Sequence, residues 1–154
     1  MKLIREALTA GVLAGIFSGV PSTVHALATG IDPLEASLAA GSMLAPRETR
    51  TVPLLAAGAA AHGVLSLGWA FVLTAALPRR RSRGETVVAG AVAGLAIAAL
   101  DLGLAGRRFP RIRALRAGPQ VADHVAFGVI VAAVVRAADL EDRPLVPRAG
   151  GRRR

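Results

Sequence analysis

The chain has 154 residues, of which 53% are hydrophobic, 19% charged and 3% aromatic, and its formal net charge at pH 7 is +9. A water-soluble domain of this size needs more charge on its surface, so the composition excludes an ordinary soluble domain and favours a membrane protein. Nucleic acid is not an expected partner, because the arginines cluster beside apolar runs without aromatic residues for base stacking. The absence of cysteine excludes disulfides, thiolate metal sites and cysteine nucleophiles.

Long apolar segments predict an all-α fold, an integral membrane four-helix bundle. About 20 helical residues, rising about 1.5 Å each, cross the ~30 Å hydrocarbon core of a bilayer. The segment 53–77 meets this requirement without a single Asp, Glu, Lys or Arg. A single domain, 1–138, is followed by a basic tail, 139–154, that is expected to be disordered. The predicted spans are 7–31, 53–77, 86–106 and 119–138.

The first span contains Gly11, Gly15 and Gly19, which have the small-xxx-small spacing of membrane helices that pack closely. Pro21 predicts a kink within the span. The alternative is a secretory signal peptide with a cleavage site near Ala26. The apolar run continues well beyond that site, which favours a retained span.

A short helix is predicted in the loop after the first span. Asp32 is the expected N-cap, Pro33 the first helical residue, and Glu35 follows at capping-box spacing. The helix is expected over 33–45 and ends before Pro46. It is too short to span, so it is either an interfacial helix or a re-entrant one.

Loop arginines predict the orientation. Arg79, Arg80, Arg81 and Arg83 follow the second span and are interpreted as a cytoplasmic anchor that also contacts anionic lipid. The N-terminal segment 1–6, this loop and the C-terminal segment from Arg136 together place twelve Lys and Arg residues on one side of the membrane. Seven remain on the other side. Both termini are therefore expected in the cytoplasm. The composition, poor in Lys and rich in Arg and Ala, indicates a GC-rich bacterial genome and thus a bacterial inner (plasma) membrane.

The third span is predicted to begin at a capping box formed by Ser82 and Glu85. Small residues on the spans mark the faces that are expected to pack against neighbouring helices. The predicted packing glycines are Gly11, Gly15, Gly19, Gly58, Gly90, Gly94 and Gly128.

Ionisable residues within the predicted spans are the most informative feature of the sequence. Such a side chain costs about 2.5–3.5 kcal/mol at the centre of a membrane helix, so it is expected to face the interior of the bundle. Counting residues from the span ends places these groups roughly 6–14 Å below the same, outer surface. The predicted polar intramembrane cluster comprises His25, His62, Asp101, Asp123 and His124. Trp69, in the middle of its span, is interpreted as a packing residue.

Several functions of this cluster are open from sequence alone. It can be structural, through interhelical hydrogen bonds, or it can handle protons or a small solute. Haem between two histidines is another alternative, as is a zinc or iron site. The candidate metal ligands are His25, His62, His124 and Asp101. No cofactor is required by the first two interpretations.

Enzymatic activity is not expected. The sequence has no nucleophile elbow, no HExxH zinc motif, no P-loop and no dinucleotide fingerprint. A serine nucleophile on a regular helix would lack an oxyanion hole, because helical amides are already hydrogen-bonded.

Two segments carry a resemblance: AHGVLSLGWAFVL, with His62 and Trp69, and LDLGLAGRRFPRIRALRAGPQVADHVAFG, with Asp101, Asp123 and His124. They resemble small uncharacterised four-span membrane proteins of GC-rich bacteria. The resemblance covers the second to fourth spans and implies architecture, not activity. The expected partners are membrane lipids and either a second copy of the chain or a larger membrane complex.

Overall fold

The computed structural model describes residues 1–78 and 82–141. Every regular element in these ranges is a helix: α1 Lys2–Phe17, α2 Val20–Thr29, α3 Glu35–Leu44, α4 Thr51–Ala76, α5 Arg83–Arg108, α6 Pro110–Ala114 and α7 Ala117–Glu141. Four stretches are long and apolar enough to cross a membrane: Lys2–Thr29, Thr51–Ala76, Arg83–Arg108 and Ala117–Glu141. The predicted all-α fold with four long apolar helices is therefore confirmed.

The predicted capping box starts α5. The Glu85 N–H donates to Ser82 Oγ at 3.3 Å, and the Ser82 N–H donates to the Glu85 carboxylate at 2.8 Å. Because two amides of the first turn gain acceptors in this way, the helix begins at Arg83, three residues earlier than the expected span. The other three arginines of the predicted cytoplasmic anchor, at 79–81, lie outside the described residues.

The fourth long helix extends further than the sequence predicted. It runs to Glu141, so residues 139–141, which were assigned to a disordered tail, are helical. The remainder of that predicted tail, 142–154, lies outside the described residues.

The first span is interrupted. Its helical hydrogen-bond ladder stops with the Ser18 N–H and resumes with the Thr23 N–H, so α1 and α2 are separate helices. Pro21 explains the interruption, because proline has no N–H and its ring clashes with the carbonyl four residues earlier. The break leaves backbone groups near the middle of the span without helical partners.

The short helix α3 begins two residues later than expected. Leu34, not Asp32, is its N-cap, and the Asp32 carboxylate instead accepts from the Leu34 N–H at 2.8 Å in the preceding turn. The helix packs tightly against α4 through Gly41, which the predicted packing set did not include. A Cβ atom on Gly41 would overlap the Leu54 carbonyl, and one on Gly58 would overlap the Ser37 carbonyl.

The closest contact between long helices joins α5 and α7. A Cβ atom on Gly90 would lie 2.6 Å from the Gly128 carbonyl oxygen, and one on Gly94 would overlap the His124 carbonyl. Backbones at this separation leave no room for a side chain, which explains glycine at these positions.

The glycines of the first span differ from one another. A Cβ atom on Gly11 would lie 2.9 Å from Leu67, and one on Gly15 would lie 3.3 Å from Ser66, so both glycines face α4. Gly19 has open space around its Cβ position. Gly19 lies at the helix break and makes no close helix contact within the chain, so its predicted packing role stays a prediction.

The helices form a ring. α4 packs against α1 and α3, α7 packs against α1, α2 and α5, and α6 contacts both α5 and α3, which closes the ring. A packed core forms where α1, α4, α5 and α7 meet. The core residues are Ala10, Ala14, Ala70, Leu73, Ile97, Phe127, Val131 and Val135.

The outward faces of the long helices are apolar. On α1, Ile4, Leu8, Val12 and Ile16 lie four residues apart and are each between 44% and 65% exposed. Only 22–28% of the most apolar window of each span is buried inside the protein. Exposed apolar surface on this scale is unfavourable in water and favourable in lipid, so the architecture fits a multi-pass membrane protein.

Candidate functional site

A cavity of about 750 Å³ lies beside the core, and the core residues Ile97 and Phe127 form part of its wall. All seven helices contribute to its wall, which is mostly apolar, and its volume lies within the range of about 300–1,000 Å³ that is typical of small-molecule sites. A few polar side chains converge on this otherwise apolar wall. They include His62, Ser66, Trp69, Asp101, Asp123 and His124.

Asp101 of α5 lies at the meeting point of three helices. The Trp69 indole Nε1–H of α4 donates to both oxygens of the Asp101 carboxylate, at 3.0 and 3.2 Å. His124 Nε2 of α7 lies 3.6 Å from Asp101 Oδ2. Trp69 packs against the hydrophobic core, as expected, and its indole N–H in addition links α4 to α5.

The hydrogen bonds of His124 determine where its protons lie. Its Nδ1 atom is 2.7 Å from the Gln120 carbonyl oxygen, and a carbonyl only accepts, so Nδ1 carries hydrogen. A neutral ring would then direct the lone pair of Nε2 toward the Asp101 carboxylate. Protonation of Nε2 would replace this repulsion by an attraction to the carboxylate.

The break in the first span explains the position of His62. Gly15 lies in the last turn of α1, where carbonyls lack helical partners, and its carbonyl accepts from His62 Nε2 at 2.8 Å. Nε2 must therefore carry the hydrogen, which leaves Nδ1 of a neutral His62 as an acceptor. The side chain of His62 is exposed and lines the cavity.

The same break explains the position of Asp123. The Ser22 N–H lies in the first turn of α2, where amides lack helical partners, and it donates to Asp123 Oδ1 at 2.8 Å. An unsatisfied amide in hydrocarbon costs several kcal/mol. The sequence contained a signal for both contacts, since Pro21 frees backbone groups on either side of itself, but not the identity of the residues that would satisfy them.

His25 does not join the other four predicted residues at the cavity. It is absent from the cavity wall, and its Nε2 atom is buried without a hydrogen-bond partner among residues 1–78 and 82–141. The prediction counted the position of His25 from the end of the span as if the span were one continuous helix with a kink at Pro21. The break before Pro21 invalidates that assumption.

Within the described ranges, no group of three or more His, Cys, Asp or Glu side chains is close enough to hold a metal ion. The four metal ligands that the sequence suggested, His25, His62, His124 and Asp101, are therefore not gathered into one site. His62 and His124 instead each direct one ring nitrogen to a backbone carbonyl.

Outside the spans, Glu48 and Arg50 form a compact ion pair just before α4. Arg50 Nε and Nη2 donate to the Glu48 carboxylate at 3.1 and 2.9 Å, and the Thr49 and Arg50 amides donate to the same carboxylate. The side-chain bonds from Arg50 are the main reason why the pKa of Glu48 is lowered from 4.5 to about 2. This pair orders the chain where it enters the second span.

No protein-family model, curated protein or solved structure matches this chain. Its function is therefore inferred from the geometry of the cavity.

Proposed function

We propose that this chain is a multi-pass protein of the bacterial inner membrane that binds a small solute in its cavity and has no enzymatic activity. The observation that carries the proposal is the cavity itself, which combines a large apolar wall with a few convergent polar groups. Four helices of suitable length, with apolar outward faces in contact with membrane lipid, support the membrane assignment.

Both termini lie in the cytoplasm in this proposal, because that orientation places most loop arginines inside. The cavity then faces the outer side, since it lies among the end of the first span, the start of α4, the end of α5 and the start of α7. Solute would enter from the outer side, while the packed core seals the cytoplasmic half.

The short helix α3 is re-entrant in this arrangement. Ser37, near its start, contacts Gly58, whereas Gly41, further along, contacts Leu54. Gly58 lies seven residues after Thr51, the start of α4, which is about 10 Å along the helix. The first turn of α3 therefore reaches below the membrane surface and forms part of the cavity wall.

The polar residues also stabilise the fold. His62 and Asp123 provide partners for the broken backbone, and Trp69 links α4 to Asp101 of α5. The Ser22 amide, which a nearby serine nucleophile would need as an oxyanion donor, already bonds to Asp123. This arrangement favours binding over hydrolysis.

Solute binding is testable through Trp69, the only tryptophan, which lies in the cavity wall. Three aromatic probes of similar size are titrated into the protein in detergent while Trp69 emission is recorded: cationic trimethylphenylammonium, neutral tert-butylbenzene and anionic benzenesulfonate. We expect at least one probe to give a saturable change that is weakened in Ala59→Phe, which places a phenyl ring in the cavity. Ala60→Phe, on the adjacent exposed position outside the cavity wall, is the matched control. Binding by none of the probes, or equal binding by both variants, would contradict the proposal.

Orientation is tested by cysteine labelling, because the chain has no native cysteine. Thr49→Cys lies between α3 and α4, and Gly84→Cys lies in the first turn of α5. A membrane-impermeant maleimide added to whole spheroplasts should label the first variant and not the second. The reverse pattern would place the termini outside.

A further inference from the structure

The charged and polar groups of the cavity wall divide into satisfied and unsatisfied ones. Both oxygens of the Asp101 carboxylate accept from the Trp69 indole N–H, and Oδ2 also lies 3.6 Å from His124 Nε2. His124 Nδ1 is already bonded to a backbone carbonyl. The polar atoms of this pair therefore already have partners within the chain.

Asp123 and His62 retain free hydrogen-bonding capacity. The Ser22 N–H donates to Asp123 Oδ1, the Ser22 side chain also lies close to this carboxylate, and no Lys or Arg of the described residues pairs with it. His62 Nε2 donates to the Gly15 carbonyl, so Nδ1 of a neutral His62 is an acceptor. Both side chains therefore present acceptor atoms to the cavity, and one of them is a carboxylate.

The wall of the cavity contains no Lys, Arg or Glu among the described residues. An anionic ligand would therefore be repelled by the Asp123 carboxylate, and only histidine side chains could offset this repulsion. A cationic ligand would compensate this carboxylate, whose charge is costly in an apolar environment. Trp69 and Phe127 also line the cavity, and aromatic faces attract organic cations.

We propose that the cavity binds a small organic cation, a protonated amine or quaternary ammonium with apolar substituents, at Asp123. The inference rests on the proposed function and specifies the chemical class of its solute. The cationic group lies against Asp123 Oδ2, with His62 Nδ1 accepting a hydrogen bond when the ligand carries an N–H. Apolar substituents occupy the remainder of the cavity, whose wall is mostly apolar.

The test compares a cation with its neutral isostere. Trimethylphenylammonium and tert-butylbenzene have nearly the same shape and differ in charge, so their titrations against Trp69 emission isolate the electrostatic contribution. We expect the cation to bind at least about tenfold more tightly than the neutral probe, and benzenesulfonate not to bind. Asp123→Asn should weaken cation binding about tenfold or more while leaving binding of the neutral probe unchanged.

Two controls keep the comparison interpretable. Asn at position 123 retains an oxygen that accepts from the Ser22 N–H, so the fold keeps that hydrogen bond; size-exclusion chromatography and thermal unfolding verify it. Asp139→Asn makes the same chemical change on α7 outside the cavity wall and should leave cation affinity unaltered. If Asp123→Asn fails to fold, the cation inference is tested by the affinities of the unmodified chain for trimethylphenylammonium and tert-butylbenzene.

The outcomes separate the two proposals. Equal affinity for the cation and the neutral probe, or undiminished cation binding by folded Asp123→Asn, overturns the cation inference and leaves solute binding standing. Saturable binding of benzenesulfonate alone also overturns it. Binding of no probe contradicts the solute-binding function itself.

Discussion

The hydrogen bond between Asp123 and the Ser22 amide allows the broken first span to be tested directly. Asp123→Asn removes the charge and keeps an oxygen acceptor at the same place, whereas Asp123→Leu has a similar size and no acceptor. Both variants lose the cost of a buried carboxylate, so the difference between them reports the acceptor alone. The Leu variant leaves the Ser22 N–H, 2.8 Å from Oδ1 in the unmodified chain, without a partner.

The expected difference in unfolding free energy is about 1 kcal/mol, the lower end of the cost of a donor that loses its acceptor, because this hydrogen bond is only half-buried. In a chain of this size each kcal/mol shifts the melting temperature by about 2–4 °C, so Asp123→Leu should melt several degrees below Asp123→Asn. The proline that causes the break supplies a further control. In a Pro21→Ala background the helix can continue through the break, and the Ser22 N–H regains a backbone acceptor.

The assay is thermal unfolding in a fixed detergent, followed by circular dichroism. We expect the Leu variant to be less stable than the Asn variant in the native background, and the gap to shrink in the Pro21→Ala background. Equal stability of the two variants, or a gap that is unaffected by Pro21→Ala, would refute the assignment of Asp123 as the partner of the broken helix.

Two further predictions concern helix packing and the loop before α4. Gly94→Ala should destabilise the protein by about 1–3 kcal/mol, because its Cβ would overlap the backbone of α7; Gly103→Ala, which meets open space, should be neutral or stabilising in the same unfolding assay. Equal effects of the two changes would contradict the α5–α7 contact. Arg50→Gln should raise the pKa of Glu48 from about 2 toward 4.5, as measured by carboxyl NMR titration. The pKa of Glu48 is lower in the folded state than in the unfolded state, so the pair contributes to stability above pH 4.5 and loses that contribution as the pH falls toward 2. An unchanged Glu48 pKa in the variant would exclude Arg50 as the cause of the lowered pKa.

Local chemistry accounts for what could be predicted from the sequence. The capping box at Ser82 and Glu85 depends only on residues three apart, and the apolar lengths of the spans depend only on composition. Gly90 and Gly94 could be predicted to share a packing face, because a helix repeats its faces every three or four residues, and both lie in a close helix contact. Such features need no knowledge of the partner helix.

The remaining features depend on contacts between distant segments. Pro21 indicated a kink, but neither its direction nor its consequence for His25 follows from a helical repeat. The hydrogen bond of Trp69 was not predicted, because its partner, Asp101, lies on another helix. The small helix α6 went unpredicted in a loop rich in arginine, although Pro110 at its first position is a helix-start signal.

The central claim is that an outward-facing cavity within the membrane reaches Trp69. It is tested most directly by quenching the fluorescence of this single tryptophan in lipid nanodiscs, once with water-soluble acrylamide and once with lipids brominated along their acyl chains. The structure predicts that acrylamide quenches Trp69, that Ala59→Phe protects it, and that the brominated chains have little effect. Strong quenching by the acyl-chain bromines with protection from acrylamide would place Trp69 against lipid and contradict the cavity.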